Sequence, residues 1–420
     1  MSTKRALFIT VGTGFGDQKS IDSLAHMILF SIKDENPDYV VFYGSKSSKH
    51  TIESFKNQYK NEFNTDFQNY EFVELIEIND FNSCFKKMEE KLLSYNNEYD
   101  IRIDYTSGTK TMTMTAAILS TVYRKELLLV DGDRGKDNLV ISGTERRKSQ
   151  SLYKVYDNVN LKYIKKSFSD CRFKSAEILL KKMVILENED YYENLIKCYE
   201  NFDLFNHTEA LNLFPKHYSE IFPEISNQMK LNEKALNIIN LKEKVVDGKT
   251  KPEHKFRCYY ILADLLNNAF RRAYEGKYDD AIARLYRSLE LIGQIKLKKG
   301  YKIITSKLDF DELRKKKIKD KNYLFNLEQN NKNKIGLREN FNLLYQLDNP
   351  IGIEFKDIEK GVNDKLSLRN DSILAHGLKH KTLDDYLEFK NVVMKFAEIL
   401  YDDIYDLIEE TKFPTFEDYI

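Results

Sequence analysis

The chain has 420 residues, enough for two to four domains of ordinary size and for cores that need no disulfide or metal staple. Its 66 Lys and Arg balance 66 Asp and Glu, which excludes a protein that holds nucleic acid by bulk positive charge, so any polyanion must be held by a local patch. With 42% hydrophobic and 31% charged residues the composition is that of a folded chain, and no stretch approaches the roughly 20 apolar residues a membrane span requires.

In chain order, short apolar segments at Ala6 to Val11, Tyr39 to Tyr43, Glu71 to Ile76, Ile101 to Tyr105 and Leu127 to Val130 read as strands. Amphipathic segments at Ser20 to Lys33, Ser48 to Phe63, Phe81 to Tyr95 and Thr111 to Tyr123 alternate with them. This βαβ alternation predicts an α/β, Rossmann-like domain: a parallel sheet with helices on both faces. Asp131-Gly-Asp-Arg-Gly-Lys-Asp137 then reads as a hairpin turn leading into a strand at Leu139 to Ser142. Its aspartates do not make a calcium loop, because the twelfth position is Ser142 where a glutamate is needed.

After Gly143 glycine disappears until Gly248, and from Ser167 onward apolar residues recur at helical spacing, as in Ala176, Leu179, Leu180 and Met183. The remainder should therefore be all-α, with Asp247-Gly-Lys-Thr-Lys-Pro252 as a linker. The expected domains are 1–165, 166–250 and 251–420. Cys84, Cys171, Cys198 and Cys258 fit no zinc or disulfide spacing, which suits a reducing, cytoplasmic setting. The apolar run that ends at Gly12 is too short for a secretion signal.

Two loops of the first domain have ligand chemistry. Thr10-Val-Gly-Thr-Gly-Phe-Gly16 follows the first strand and Thr106-Ser-Gly-Thr-Lys110 follows the fourth. Both stand where an open parallel sheet gathers helix N-termini that favour anions. Neither matches the G-x-G-x-x-G or the Walker spacing, so dinucleotides and nucleoside triphosphates are disfavoured. Plain strand-to-helix turns also use such glycines, and this reading stays open for each loop alone.

The run Asp104-Tyr-Thr-Ser-Gly-Thr-Lys-Thr-Met112, together with the earlier Gly-Thr-Gly, resembles the CARF domain of type III CRISPR ancillary ribonucleases of the Csm type. The resemblance implies a homodimer that binds a cyclic oligoadenylate, the tetra- or hexa-adenylate made by the type III effector complex, across its two-fold axis. Carried onto this sequence, the binding positions are Gly12, Thr13 and Gly14, then Thr106, Ser107, Gly108, Thr109 and Lys110, with Ser45 after the second strand. Some members of that family cleave their activator, which makes Thr106 and Ser107 candidates to position a ribose hydroxyl.

Near the C-terminus, Arg369 and His376 stand seven positions apart, close to two helical turns, and so project from one side of a helix. Arg369, six residues beginning with Asn370, and His376 together resemble the R-x(4–6)-H signature of HEPN ribonucleases, and Ala281 to Gln294 resembles the preceding HEPN helix. The resemblance implies a composite dimer-interface site that cuts single-stranded RNA without a metal or other cofactor, leaving a 2′,3′-cyclic phosphate and a 5′-hydroxyl. His376 is the natural base for a 2′-hydroxyl, the Arg369 fork suits the charge that builds on the phosphate, and Asn370 could orient either partner. His376 and His380 are spaced for a metal but lack a third ligand.

Residues 296–338 hold 14 Lys or Arg against 5 Asp or Glu. Within them Lys315, Lys316 and Lys317 could grip RNA phosphates while Tyr301, Tyr323 and Phe325 stack bases, although a solvated basic surface is the alternative. Two other function classes also stay open: a non-catalytic sensor of a nucleotide second messenger, and a transcriptional regulator with a degenerate nuclease fold.

Overall fold

The computed structural model describes residues 4–14, 17–136, 139–150, 152–184, 188–241, 245–246, 249–250, 256–330, 333–358 and 379–417. They gather into two compact units, residues 1–161 with 182–187 and residues 162–181 with 188–420.

The first unit is built on β1 (Lys4–Val11), α1 (Gln18–Glu35), β2 (Tyr39–Gly44), α2 (Lys49–Phe63), β3 (Tyr70–Glu74), α3 (Phe81–Tyr95), β4 (Tyr99–Asp104), α4 (Lys110–Val122), β5 (Glu126–Asp131) and β6 (Arg146–Gln150). The sheet order is β3-β2-β1-β4-β5-β6, parallel except for β6. β1, β2 and β5 carry continuous apolar runs because both of their faces are covered. Phe8 and Ile103 pack with Met88 of α3 and Met112 of α4, while Leu7 and Ile9 pack with Ile28 of α1 and Phe55 of α2.

The expected strand at Leu139 to Ser142 is a correction. Only an isolated bridge joins Arg134 to Val140, and the antiparallel partner of β5 is β6, a wholly polar segment. Its pairing is reinforced by ion pairs: Arg147 reaches Asp34 at 3.1 Å and also Glu35, and Lys148 reaches Asp131 at 2.5 Å. The sheet is therefore mixed rather than all-parallel.

The second unit is helical. It runs from the end of α5 (Tyr153–Ser169) through α6 (Phe173–Leu180), α7 (Glu189–Asp203), α8 (His207–Asn212), α9 (Tyr218–Ile221) and α10 (Ser226–Ile239). Two-residue strands, β7 (Val245–Val246) and β8 (Lys249–Thr250), pair between α10 and the next helix; of the expected linker at 247–252 only residues 249–250 are among those described. After them come α11 (Arg257–Tyr274), α12 (Tyr278–Tyr301), α13 (Phe310–Arg314), α14 (Lys321–Gln329), α15 (Leu337–Gln346), α16 (Pro350–Asp357), α17 (Leu383–Leu400) and α18 (Ile404–Thr411).

α12 buries Ile282, Leu285, Leu289 and Ile292, the 3–4 spacing of a core-facing stripe. Beside it the rings of Phe341 and Phe355 stack at 4.4 Å, and Phe396 meets Phe341 edge-on at 5.4 Å. Polar ties fasten the middle helices to α11: Asp203 accepts from Arg271 Nε at 2.8 Å and from Arg272 Nη2 at 2.5 Å, and His207 lies 2.8 Å from Asp264. A buried carboxylate left without its partner costs several kcal/mol, so these ties hold α7, α8 and α11 together as one body. No helix among the described residues is long and apolar enough to cross a membrane.

Candidate functional site

In this strand order the chain reverses direction across the sheet between β1 and β4. The loop after β1 leads to α1 on one face and the loop after β4 leads to α4 on the other, so a crevice opens at their carboxyl ends. The two glycine loops are the two lips of that crevice.

They touch at the level of the backbone. A Cβ added at Gly12 would stand 2.8 Å from the Gly108 amide nitrogen, so it could enter only by displacing the other loop, and Gly108 itself has φ of +115°, a backbone conformation in which a side chain is strained. Side-chain bonds lock the contact. Ser107 Oγ donates to the Thr10 carbonyl at 2.9 Å and accepts from the Gly12 amide at 3.2 Å, while Thr10 Oγ1 donates to the Ser107 carbonyl. Thr51 Oγ1 donates to the Gly12 carbonyl at 2.8 Å.

The other hydroxyls are placed by helix capping or, for Thr106, by a bond from the neighbouring strand. Thr109 is the N-cap of α4, accepting from the Met112 amide at 3.2 Å and donating to the Ile78 carbonyl at 3.0 Å. Ser45 opens a short 3-10 turn, where its amide donates to Ser48 Oγ at 3.1 Å. Thr106 Oγ1 accepts from the Val130 amide at 2.8 Å, and the Thr106 amide donates to Asp104 Oδ1 at 2.8 Å. Burial pushes the Asp104 carboxyl up, against the lowering effect of its bonds from Ser31 and Thr106.

Gly12, Thr13, Gly14, Ser45, Thr106, Ser107, Gly108 and Thr109 converge on one cavity of about 540 Å³. Lys110 is not among its lining residues and is exposed at the start of α4. Sequence reasoning missed Ser20 and Ser23 of α1, and Arg134, Leu139 and Val140 from the arm between β5 and β6. The one signal for the arm was the glycine-punctuated turn, which by itself says nothing about where the arm folds back.

In the helical unit, Arg369, Asn370 and His376 lie outside the described residues, as does part of the linker at 247–252. The helix expected at Ala281 to Gln294 lies within α12. Lys315 and Lys317 are exposed and Lys316 half-buried just after α13, and Lys315 Nζ donates to Glu312 at 2.6 Å. Arg314 pairs with Asp311 at 2.7 Å and Glu328 at 2.5 Å, and Lys319 pairs with Asp348 at 2.8 Å. Tyr323 donates to Glu339 at 3.2 Å and burial pushes its hydroxyl up, so of the three aromatic candidates the freely presented ring is Phe325, 60% exposed.

Burial raises the thiols of all four cysteines, Cys171 to about 11, which keeps them protonated and unreactive. Among the described residues no group of His, Cys, Asp and Glu could hold a metal ion.

A family model described as the Csm6 HEPN domain matches residues 251–400. Among solved structures, Enterococcus italicus Csm6 bound to cyclic hexa-2'-fluoro-hexa-dAMP aligns with a TM-score of 0.64 at 15% identity, over 97% of this chain and 99% of that one. No curated protein matches the sequence. Residues 251–400 are thus similar to the Csm6 HEPN domain, and the chain as a whole shares the fold of the Enterococcus italicus Csm6 structure.

Proposed function

We propose that this chain is a CRISPR ancillary ribonuclease switched on by a cyclic oligoadenylate bound at the β1–β4 crevice. The observation that carries the reading is the convergence of both glycine loops on one hydroxyl-lined cavity at the switch point of the sheet, in a chain whose later residues match the Csm6 HEPN model. The aligned Csm6 is the one described as bound to a cyclic hexanucleotide, which puts a ring of this size first in the test series.

The active form is a homodimer. α4 starts at the cavity and presents Met114, Ile118 and Val122 to solvent, 51%, 38% and 54% exposed and four residues apart along one stripe. A two-fold contact through that stripe would set two cavities side by side around one ring. Ligand binding then favours the arrangement in which the HEPN residues of both chains meet, as linkage requires.

At the nuclease site His376 removes the proton of the 2′-hydroxyl, whose oxygen attacks the adjacent phosphorus. Arg369 holds the charge that accumulates on the phosphate oxygens, and Asn370 orients the phosphate or the imidazole. The bond to the 5′-oxygen breaks, leaving a 2′,3′-cyclic phosphate and a 5′-hydroxyl. This chemistry uses no metal and no other cofactor. Slow cleavage of the activator in the cavity belongs to the same reading. There Thr106 is the better candidate to position a ribose hydroxyl, since the Ser107 hydroxyl hydrogen is committed to the Thr10 carbonyl. The protein works in the cytoplasm beside the complex that makes its activator.

The test is cleavage of a labelled single-stranded RNA in EDTA, with and without cyclic tetra- or hexa-adenylate. Cleavage that appears with one ring and vanishes in His376→Ala supports the reading. Cleavage that ignores both rings, or survives in His376→Ala, overturns it.

A further inference from the structure

We propose that the arm between β5 and β6 supplies the sensor cavity with its phosphate-holding cation, Arg134, and that this residue makes the cavity prefer a ring of phosphodiesters over an uncharged nucleoside. The inference rests on the cyclic-oligoadenylate reading and sharpens it.

Among the described residues that line the cavity, Arg134 is the one charged side chain. The rest of the wall is glycine, apolar side chains and hydroxyls, and much of the donor capacity of those hydroxyls is already committed. Ser48 donates to the Val11 carbonyl at 2.8 Å, Ser107 to the Thr10 carbonyl at 2.9 Å, Thr109 to the Ile78 carbonyl at 3.0 Å and Ser20 to the Asp17 carbonyl at 3.0 Å. A hydroxyl whose hydrogen is committed offers an anion nothing but lone pairs. Several phosphodiesters in such a cavity therefore need a cation, and a guanidinium offers a rigid fork of donors matched to two phosphate oxygens.

The arm is built to keep Arg134 in place. Gly135 donates to the Leu139 carbonyl at 2.9 Å, and Ile141 donates to the Asp133 carbonyl at 2.8 Å on either side of the Arg134–Val140 bridge. Thr144 Oγ1 accepts from the Asp133 amide at 3.0 Å and donates to the Ile141 carbonyl at 2.7 Å, closing the base of the arm. The arm is also fastened to α1, where His26 Nε2 lies 3.0 Å from Glu145 and 3.3 Å from Ser142 Oγ. These bonds hold Arg134 in place on folding, so less ordering is lost there when the ligand binds.

The experiment measures binding of cyclic hexa- and tetra-adenylate to the full chain by calorimetry across a salt series. It compares the wild type with Arg134→Ala, Arg134→Lys and Lys136→Ala, and uses adenosine as the uncharged probe. Arg134→Ala is expected to weaken ring binding about 10- to 100-fold, the range for a lost hydrogen bond to a charged group, and to lower the slope of log affinity against log salt by about 0.7. Arg134→Lys should recover part of the affinity and the whole slope, adenosine binding should be insensitive, and Lys136→Ala, on the same arm but outside the cavity, should match the wild type. Equal affinity and slope in Arg134→Ala overturn the assignment of Arg134 while leaving the sensor reading intact. Failure of the wild type to bind either ring overturns the sensor reading and this inference with it.

Discussion

The two functional regions proposed for this chain rest on opposite principles. The sensor crevice is made by backbone: two loops from neighbouring strands meet glycine against glycine, and their side chains mostly hold the loops to each other. The proposed nuclease site would instead rest on side chains, Arg369 and His376, whose chemistry depends on the functional groups they carry. Damage should therefore look different in the two. In the sensor a one-carbon insertion should matter more than the loss of a functional group, and in the nuclease the reverse.

The largest expected effect lies on the nuclease side. His376→Ala should reduce activated cleavage by about 10²- to 10⁴-fold, the usual contribution of a positioned acid–base group, while ring binding measured by calorimetry stays at the wild-type value. A parallel loss of ring binding would contradict the separation of the two sites.

On the sensor side Gly12→Ala adds a single methyl against the Gly108 amide. A shift of one loop is then unavoidable, with a stability cost of about 1–3 kcal/mol as for other overpacked positions. Ring binding should fall below detection although no polar group has been removed. Ser107→Ala removes a hydroxyl from the same contact and should cost less. If Ser107→Ala abolishes binding while Gly12→Ala spares it, the crevice works by side-chain readout and the contrast between the regions is wrong. Next in size is replacement of Met114, Ile118 and Val122 by serine. Sedimentation should show a shift from dimer to monomer, with ring-dependent cleavage lost and the unfolding midpoint nearly unchanged, because the three side chains are exposed.

How much of this was legible in the sequence follows the same divide. β1, β2 and β5 were legible because burial on both faces leaves continuous apolar runs, as in Val40 to Tyr43, and β3 and β4 through short β-rich segments alternating with amphipathic helices. β6 was not, because Arg146-Arg-Lys-Ser-Gln150 is an edge strand held by its ladder to β5 and by ion pairs with Asp34, Glu35 and Asp131, none of which leaves a hydrophobic period. The glycine loops announced a site, yet Arg134 could be placed in it only once the arm had been seen to fold back over the crevice. The tie between α7 and α11 was invisible for a similar reason: Asp203 and Arg271 are 68 positions apart, and a lone charged residue on a helix reads as solvated until its partner is known.

The smallest expected effect concerns the basic stretch, where the opening charge balance returns in local form. Fourteen cations against five acids in residues 296–338 suggest a strong polyanion surface, but the structure pairs Arg314 with Asp311 and Glu328, Lys315 with Glu312, and Lys319 with Asp348 from outside that stretch. Exposed pairs of this kind are worth about 0–1 kcal/mol each, so a phosphate can displace them, at the cost of that pairing. Replacing Lys315, Lys316 and Lys317 together should therefore weaken single-stranded RNA binding by only a few-fold and lower the salt slope by less than the roughly 2 units that three unpaired phosphate contacts would give. A fluorescence-anisotropy titration across a salt series reads both quantities. A slope change of the full size would show that the three lysines act as free cations and that the neighbouring carboxylates give way to RNA. No change in either would assign the stretch to solvation of the helical surface, and leave recognition of the substrate to Arg369, Asn370 and His376.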